Sequence, residues 1–520
     1  MLTFYNPYII GAISTMGGFL FGTDISSVSA FIGVDAYKDY FGHPDDIVQG
    51  GITAAMPGGA FIGANVAGYV SNRFGRKPSI IMATIFWVIG CALCSAAQSV
   101  GMLIVGRLIK GICVGWCSSQ VPVYLAEQSP KEIRGRLVGC QQLATTIGIL
   151  VMFYVSYGCS FIKSETSWRL AWGLQIIPGF LLAVGMIFCP ESTRWLASHD
   201  RWDEAEYIVQ RIYNLPVDSP QVQAEIKEMH EAIRLEREAA DVTYMDMFRA
   251  RLITRTIAGM SAQLWSQLVG VNVMMYYIVD IFTMAGLTGN TNLVSSSIQY
   301  VINFVMTIPA ILFVDRWGRR ITLLAGSAFM AVCLFTVAGL LAGYGHYVDE
   351  LDGNADVRWV VTGPPSKGVI AACYLFVAAF AVSWASPCMI HTGPVSWIYI
   401  SEIFPLPVRA QAAGLATATN WIMNFALAFF VPVAFRNIQW KTYIIFGVFC
   451  IASFVQVFFT YHETKGRSLE EISALFESGV SPFAKAPPAH ALAHVTAKKV
   501  ASVSDHDSTA SHHVHDEKLA

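Results

Sequence analysis

One carboxylate lies inside an otherwise apolar stretch near the start of the chain, at Phe21-Gly22-Thr23-Asp24. A charge in such a setting needs a partner or a proton. Arg107, near the start of another apolar stretch, is the natural partner. Burial raises an aspartate's proton affinity and a neighbouring arginine lowers it. A carboxylate that alternates between those settings takes up and releases a proton; a static ion pair is the alternative reading. A second set of side chains is polar but neutral: Gln142, Gln267, Asn272, Asn303, Asn420 and Asn424, with Trp397 after the Gly393-Pro394 pair. An amide in an apolar segment is costly unless paired. Asn420 and Asn424 are four apart and share one helix face. Such amides either bond one helix to the next or form a binding site.

The elements that must position them follow from composition. The chain has 520 residues, 54% hydrophobic and 13% charged, against about 25% charged in soluble proteins. That excludes a soluble globular enzyme, and the net charge of −2 suggests no nucleic-acid partner. A membrane-crossing helix needs roughly 20 apolar residues. Apolar stretches at about 8–32, 49–70, 79–97, 101–125, 137–159, 168–189, 254–284, 292–313, 320–344, 368–400, 409–434 and 439–461 predict twelve spans. The tenth is overlong, and Gly393-Pro394 should break it against a cavity, because proline cannot continue the helical hydrogen bonding.

Basic residues alternate from loop to loop: Arg73, Arg76 and Lys77; Lys131, Arg134 and Arg136; Arg316, Arg319 and Arg320. By the positive-inside rule these loops, and both termini, face the cytoplasm. Residues 190–252 hold 21 of the chain's 70 charged residues and read as an exposed helical linker. The domains are thus 1–189, a six-helix bundle; 190–252, the linker; 253–465, a second six-helix bundle; and 466–520, a mostly disordered cytoplasmic tail. No metal-ligand spacing, cofactor motif or nucleotide-binding loop is present in the sequence.

The two bundles repeat each other. Asn72-Arg73-Phe74-Gly75-Arg76-Lys77 matches Asp315-Arg316-Trp317-Gly318-Arg319-Arg320, and Glu127 with Pro130 and Arg134 matches Glu402 with Pro405 and Arg409. Duplicated halves imply a transporter with its site between them, near the bilayer midplane. Carboxylates and arginines at both landmarks are expected to pair across the halves as a cytoplasmic gate: Glu127, Arg134, Glu402 and Arg409, with Glu191, Arg194, Arg316 and Arg319.

Over about 8–475 the chain resembles the sugar porter family of the major facilitator superfamily, and within it the fungal monosaccharide transporters. The resemblance rests on several ordered motifs. They are Gly68 through Lys77, the stretch around Arg107, and Pro122-Val123-Tyr124-Leu125-Ala126-Glu127 with Pro130 and Arg134-Gly135. Pro190 through Leu196 and Gln267-Leu268-Val269-Gly270-Val271-Asn272 with Tyr276-Tyr277 complete them. The chain departs from the family pattern at Asn72, Thr193, Ser266 and His462.

The resemblance implies an all-α membrane fold of twelve helices in two pseudo-symmetric halves, and no enzymatic activity. It implies that Gln142, Gln267, Asn272, Asn303, Trp397, Asn420 and Asn424 contact a sugar. Neutral amides suit a sugar, because each hydroxyl both donates and accepts and no charge traps the solute. It marks Asp24 and Arg107 as the proton-coupling pair of a symporter. The expected partners are a monosaccharide such as glucose, a proton and the lipid bilayer of the plasma membrane, with the monomer as the working unit. A facilitative uniporter and a non-transporting sugar sensor are the alternatives.

Overall fold

The computed structural model describes residues 3–31, 34–238, 244–249, 252–348, 359–384, 399, 403–404, 408–464, 472 and 475–476. The described residues are almost wholly helical. The first span is α1 (Pro7–Ser14) and α2 (Met16–Phe31). Spans two to five are α4 (Asp46–Phe74), α5 (Arg76–Ser95), α6 (Val100–Glu127) and α7 (Lys131–Ser160), with short α3 (Asp35–Tyr40) outside. The sixth is divided into α8 (Thr166–Leu174) and α9 (Ile176–Ile187). The linker holds α10 (Thr193–Ser198), α11 (Trp202–Tyr213) and α12 (Pro220–Glu238).

The second half runs α13 (Ile253–Leu268), α14 (Val271–Tyr276), α15 (Ile278–Met284), α16 (Gly289–Trp317), α17 (Arg319–Tyr344), α18 (Pro364–Ser383), α19 (Arg409–Asn437) and α20 (Lys441–Thr460). Among the described residues, ten helices are long and apolar enough to cross a membrane, the α1–α2 and α8–α9 pairs each counted as one. The bent run α13–α15 makes eleven, and the 29-residue α16, roughly 44 Å long at 1.5 Å per residue, stands where the sequence predicts the eighth span. Between the ninth and tenth spans, β1 (His346–Tyr347) pairs antiparallel with β2 (Trp359–Val360).

The repeat is carried into three dimensions by a turn and a carboxylate. Gly75, between α4 and α5, has φ +105°, and Gly318, between α16 and α17, has φ +92°. Glu191 accepts the first backbone N–H groups of α5, from Arg76 at 2.9 Å and Lys77 at 3.1 Å. Glu463 does the same for α17, from Arg319 at 2.9 Å and Arg320 at 3.1 Å. A Cβ on Gly75 would sit 2.3 Å from Glu191 Oε2, and one on Gly318 2.8 Å from Glu463 Oε2. Each carboxylate stands at a helix N-terminus, whose unpaired N–H groups favour an anion.

The seventh span corrects the sequence reading of one continuous helix over 254–284. Gly270 adopts the left-handed region at φ +97°, ending α13, and a 73° bend separates α14 from α15. Broken helices within a membrane persist only where other groups satisfy the freed backbone. Here polar side chains of α16 do so. Gln299 donates to Met274 O, Tyr300 to Met275 O and Asn292 to Val279 O.

The halves meet at the end of the bundle opposite the basic loops. Tyr157 on α7 donates to Asn290 Oδ1 on α16 at 2.6 Å, and Tyr154 to Ser297 Oγ at 3.3 Å. There α4 packs on α19 through Gly50 against Phe429 and Gly58 against Phe425. At the basic-loop end, Arg76 pairs with Glu127 at 3.1 Å and Arg134 with Glu225 of α12 at 3.3 Å; both pairs stay within the first half and the linker.

Candidate functional site

Close packing of α4 on α6 sets the first cluster. A Cβ on Gly59 or Gly63 would fall 2.0 Å from the carbonyls of Leu108 or Ile112, and Gly111 and Gly115 are as close to Met56 and Ala60. Small residues let helices approach this closely in a membrane. The approach brings Ile52 O within 2.7 Å of Arg107 Nε. Arg107 then reaches Asp24 on α2, Nη2 to Oδ2 at 3.1 Å and Nη1 to Oδ1 at 3.4 Å. The pairing expected from sequence is present, and both side chains are fully buried.

A third charge joins it. Lys110, one turn along α6 from Arg107, places its ammonium on Asp24 Oδ1 and is itself fully buried. Nζ also donates to Gln175 Oε1 at 2.7 Å and lies 5.2 Å from the centre of the Trp87 ring. Gln175 sits at the break between α8 and α9. It donates to Thr23 O at 3.1 Å, and its own carbonyl accepts the Trp87 indole at 2.8 Å. Sequence reasoning missed Lys110 and Gln175. The signal available was the i, i+3 spacing of Lys110 from Arg107, which puts two cations on one helix face.

The neutral cluster lies where α2 and α7 of one half face α13, α14, α16 and α19 of the other. Asn420 donates to Gln263 Oε1 at 2.7 Å and lies 3.3 Å from Ser266 Oγ. Asn272 donates to Gln267 Oε1. Tyr276 stands beside Asn424 and within electrostatic reach of Asp24 and Arg107. Phe21 of α2 meets Trp421 of α19 edge-on at 5.3 Å. Asn303 is buried on α16. Gln142 is half-buried on α7, and its neighbour Gln141 packs against Gly18 of α2.

Gln263, four residues before Gln267 and so on its face of α13, is the amide the sequence reading overlooked. Part of the set therefore bonds helix to helix. Another part is unsatisfied: Gln263 Nε2, Asn424 Oδ1, Trp421 Nε1 and Gln141 Oε1 are buried with no partner among the described residues. Buried polar atoms are nearly always paired. A group of orphaned donors and acceptors between two halves suits a neutral ligand rich in hydroxyls.

Trp397, Glu402 and the Gly393-Pro394 pair lie outside the described residues, as do the side chains of Arg316 and Arg409. Of the expected gate residues, Glu127 binds Arg76 and the Ser192 hydroxyl, Arg134 binds Glu225, and Glu191 caps α5. Arg194 is half-buried at the start of α10, and Arg319 is buried. Burial pushes the Glu191 carboxyl above the usual carboxylate range, against the lowering effect of the backbone N–H groups and Arg76.

Comparison with known proteins matches this architecture. The family model described as "Sugar (and other) transporter" covers residues 10–476. A high-affinity glucose transporter of Kluyveromyces lactis is 50% identical over 92% of this chain and 86% of its own. The high glucose sensor RGT2 of Saccharomyces cerevisiae is 33% identical over 90% of this chain, which spans 60% of that protein. A structure of the proton:xylose symporter XylE with 6-bromo-6-deoxy-D-glucose bound superposes with a TM-score of 0.73, at 27% identity, over 90% of this chain and 99% of that one. With two six-helix halves, the ordered loop motifs and this coverage, the chain belongs to the sugar porter family of the major facilitator superfamily.

Proposed function

We propose that this protein moves a monosaccharide, a hexose such as glucose, together with a proton across the plasma membrane by alternating access. The observation that carries the reading is the fully buried Asp24–Arg107 pair, one span away from neutral amides that have unmet hydrogen bonds. Arginine is always charged in proteins, so a proton moving through this cluster must ride on another member. The sugar contacts are Gln142, Gln267, Asn272, Asn303, Trp397, Asn420 and Asn424, to which we add Gln263. The high-affinity glucose transporter of K. lactis supports glucose as substrate, and the proton symporter XylE supports coupling.

The same geometry suggests the cycle. The described contacts close the end opposite the basic loops, which is the arrangement of an inward-facing state. In the outward-facing state, Glu127, Arg134, Glu191 and Arg194 meet Arg316, Arg319, Glu402 and Arg409 and close the cytoplasmic face. The likeness to a glucose sensor keeps sensing as the second reading. Uptake of labelled glucose into vesicles, with and without an inward proton gradient, separates the readings. A symporter accumulates sugar only with the gradient, a uniporter equilibrates it, and a sensor takes up none.

A further inference from the structure

In the six spans of the first half, Asp24 is the one acidic residue between the loop-proximal ends. It faces two cations, Arg107 and Lys110, and all three side chains are fully buried. With every group ionised the cluster holds a net charge of +1. If Asp24 takes up a proton beside an ionised lysine, that becomes +2, with no counter-charge left. An uncompensated buried charge is strongly unfavourable, and two at a few ångströms repel each other in a medium of low dielectric. Arginine cannot release its proton, whereas the proton affinity of a lysine changes readily with its surroundings.

We propose that Lys110 carries the transported proton, with Asp24 and Arg107 as the fixed counter-pair that holds it. This deepens the symport reading and rests on it. The two working states are then an amine, with net charge zero in the cluster, and an ammonium, with net charge +1. The proton binds the Nζ lone pair from the outer aqueous side and leaves from Nζ to the cytoplasm; no other bond changes.

The local geometry serves both states. Asp24 Oδ1 and Gln175 Oε1 each accept an N–H from Nζ, and a neutral amine keeps two such donors. Nζ also lies 5.2 Å from the centre of the Trp87 ring, whose face stabilises a cation. The titratable and charged groups that face Nζ are Asp24 from α2, Arg107 on its own helix, and the Cys91 and Cys94 thiols from α5; none adds a fixed negative charge beyond Asp24. The +1 of the loaded state also makes inward movement responsive to a membrane potential negative inside.

The test is sugar-coupled proton uptake in proteoliposomes of the full chain, read with an internal pH dye and labelled glucose. K110R keeps the charge but cannot titrate, and K110Q keeps hydrogen bonding to Asp24 and Gln175 without charge. Glucose exchange between equal pools, which needs no net proton movement, reports whether each variant is folded. The expected result is exchange in at least one variant, with proton uptake per glucose falling at least tenfold and glucose accumulation lost. Wild-type proton stoichiometry in either variant overturns the assignment and returns the proton to Asp24. A wild-type protein that moves glucose without protons defeats the symport reading itself, a separate outcome.

Discussion

The hydroxyls of Ser29 and Tyr300 meet at 2.7 Å, joining the first span of one half to the eighth of the other. The Tyr300 hydroxyl also donates to Met275 O in the broken seventh span. One phenol therefore ties together the closure between the halves and the bend that shapes the binding side. Tyr300→Phe keeps the ring and removes both bonds. A hydrogen bond is worth about 0.5–1.5 kcal/mol net, so loss of the Ser29–Tyr300 bond, which of the two is the one that crosses between the halves, shifts the balance towards outward-facing by roughly 2- to 13-fold. A cysteine introduced on the outer cavity wall should become correspondingly more reactive; labelling equal to the parent removes Tyr300 from the closure.

Loss of an amide contact should weaken sugar binding by a similar amount. Gln263→Ala and Asn303→Ala are expected to raise the apparent KM for glucose about 2- to 13-fold at normal surface expression. Gln263→Ala also removes the partner of Asn420, so its effect should be the larger. Unchanged kinetics in both variants place the sugar elsewhere.

The two capped turns predict a stability pattern. Gly75→Ala and Gly318→Ala force a side chain into a left-handed backbone and onto a carboxylate. A residue held in such a conformation costs about 1–3 kcal/mol, before the contact is counted. Gly68→Ala, within α4 and with nothing within 4 Å of the added methyl, should be neutral or stabilising, since glycine weakens a helix. Thermal unfolding in detergent distinguishes the three, and equal midpoints contradict the capped-turn account.

Glu191 gives the pH dependence. Burial raises its carboxyl above the ordinary value in the folded protein, so the folded state holds its proton over a range where the unfolded chain has lost it. Stability contributed by this group therefore falls as pH rises through that window, above the usual carboxylate value. Glu191→Gln should flatten this part of the profile of midpoint against pH while keeping one acceptor for the α5 N–H groups. A wild-type profile in the variant assigns the dependence to another group.

The twelve spans were legible because bilayer thickness fixes the length of an apolar run, and the halves because two loop motifs recur in order. What the sequence hid was tertiary. Tyr277 lies in a run that reads as continuous helix; the bend there is held by Gln299 and Tyr300, which arrive from α16 to take the carbonyls of Met274 and Met275. Lys110 belongs to no motif that sets it apart in the sequence; its place shows only once Gln175 and Trp87 close over it. Arg134 reads as a partner for the opposite half, yet it meets Glu225, 91 residues on, because the linker folds back against the bundle.

Asp24 is the residue on which coupling turns, whichever atom of the cluster holds the proton. Asp24→Asn keeps the shape, but it removes the negative charge that faces both Arg107 and Lys110. The decisive measurement is glucose accumulation by this variant under an imposed inward proton gradient, beside glucose exchange between equal pools. The account predicts that exchange survives while accumulation, and the alkalinisation of the medium that accompanies it, disappears. Accumulation at the wild-type level by Asp24→Asn would contradict proton coupling through this cluster and leave a facilitative transporter.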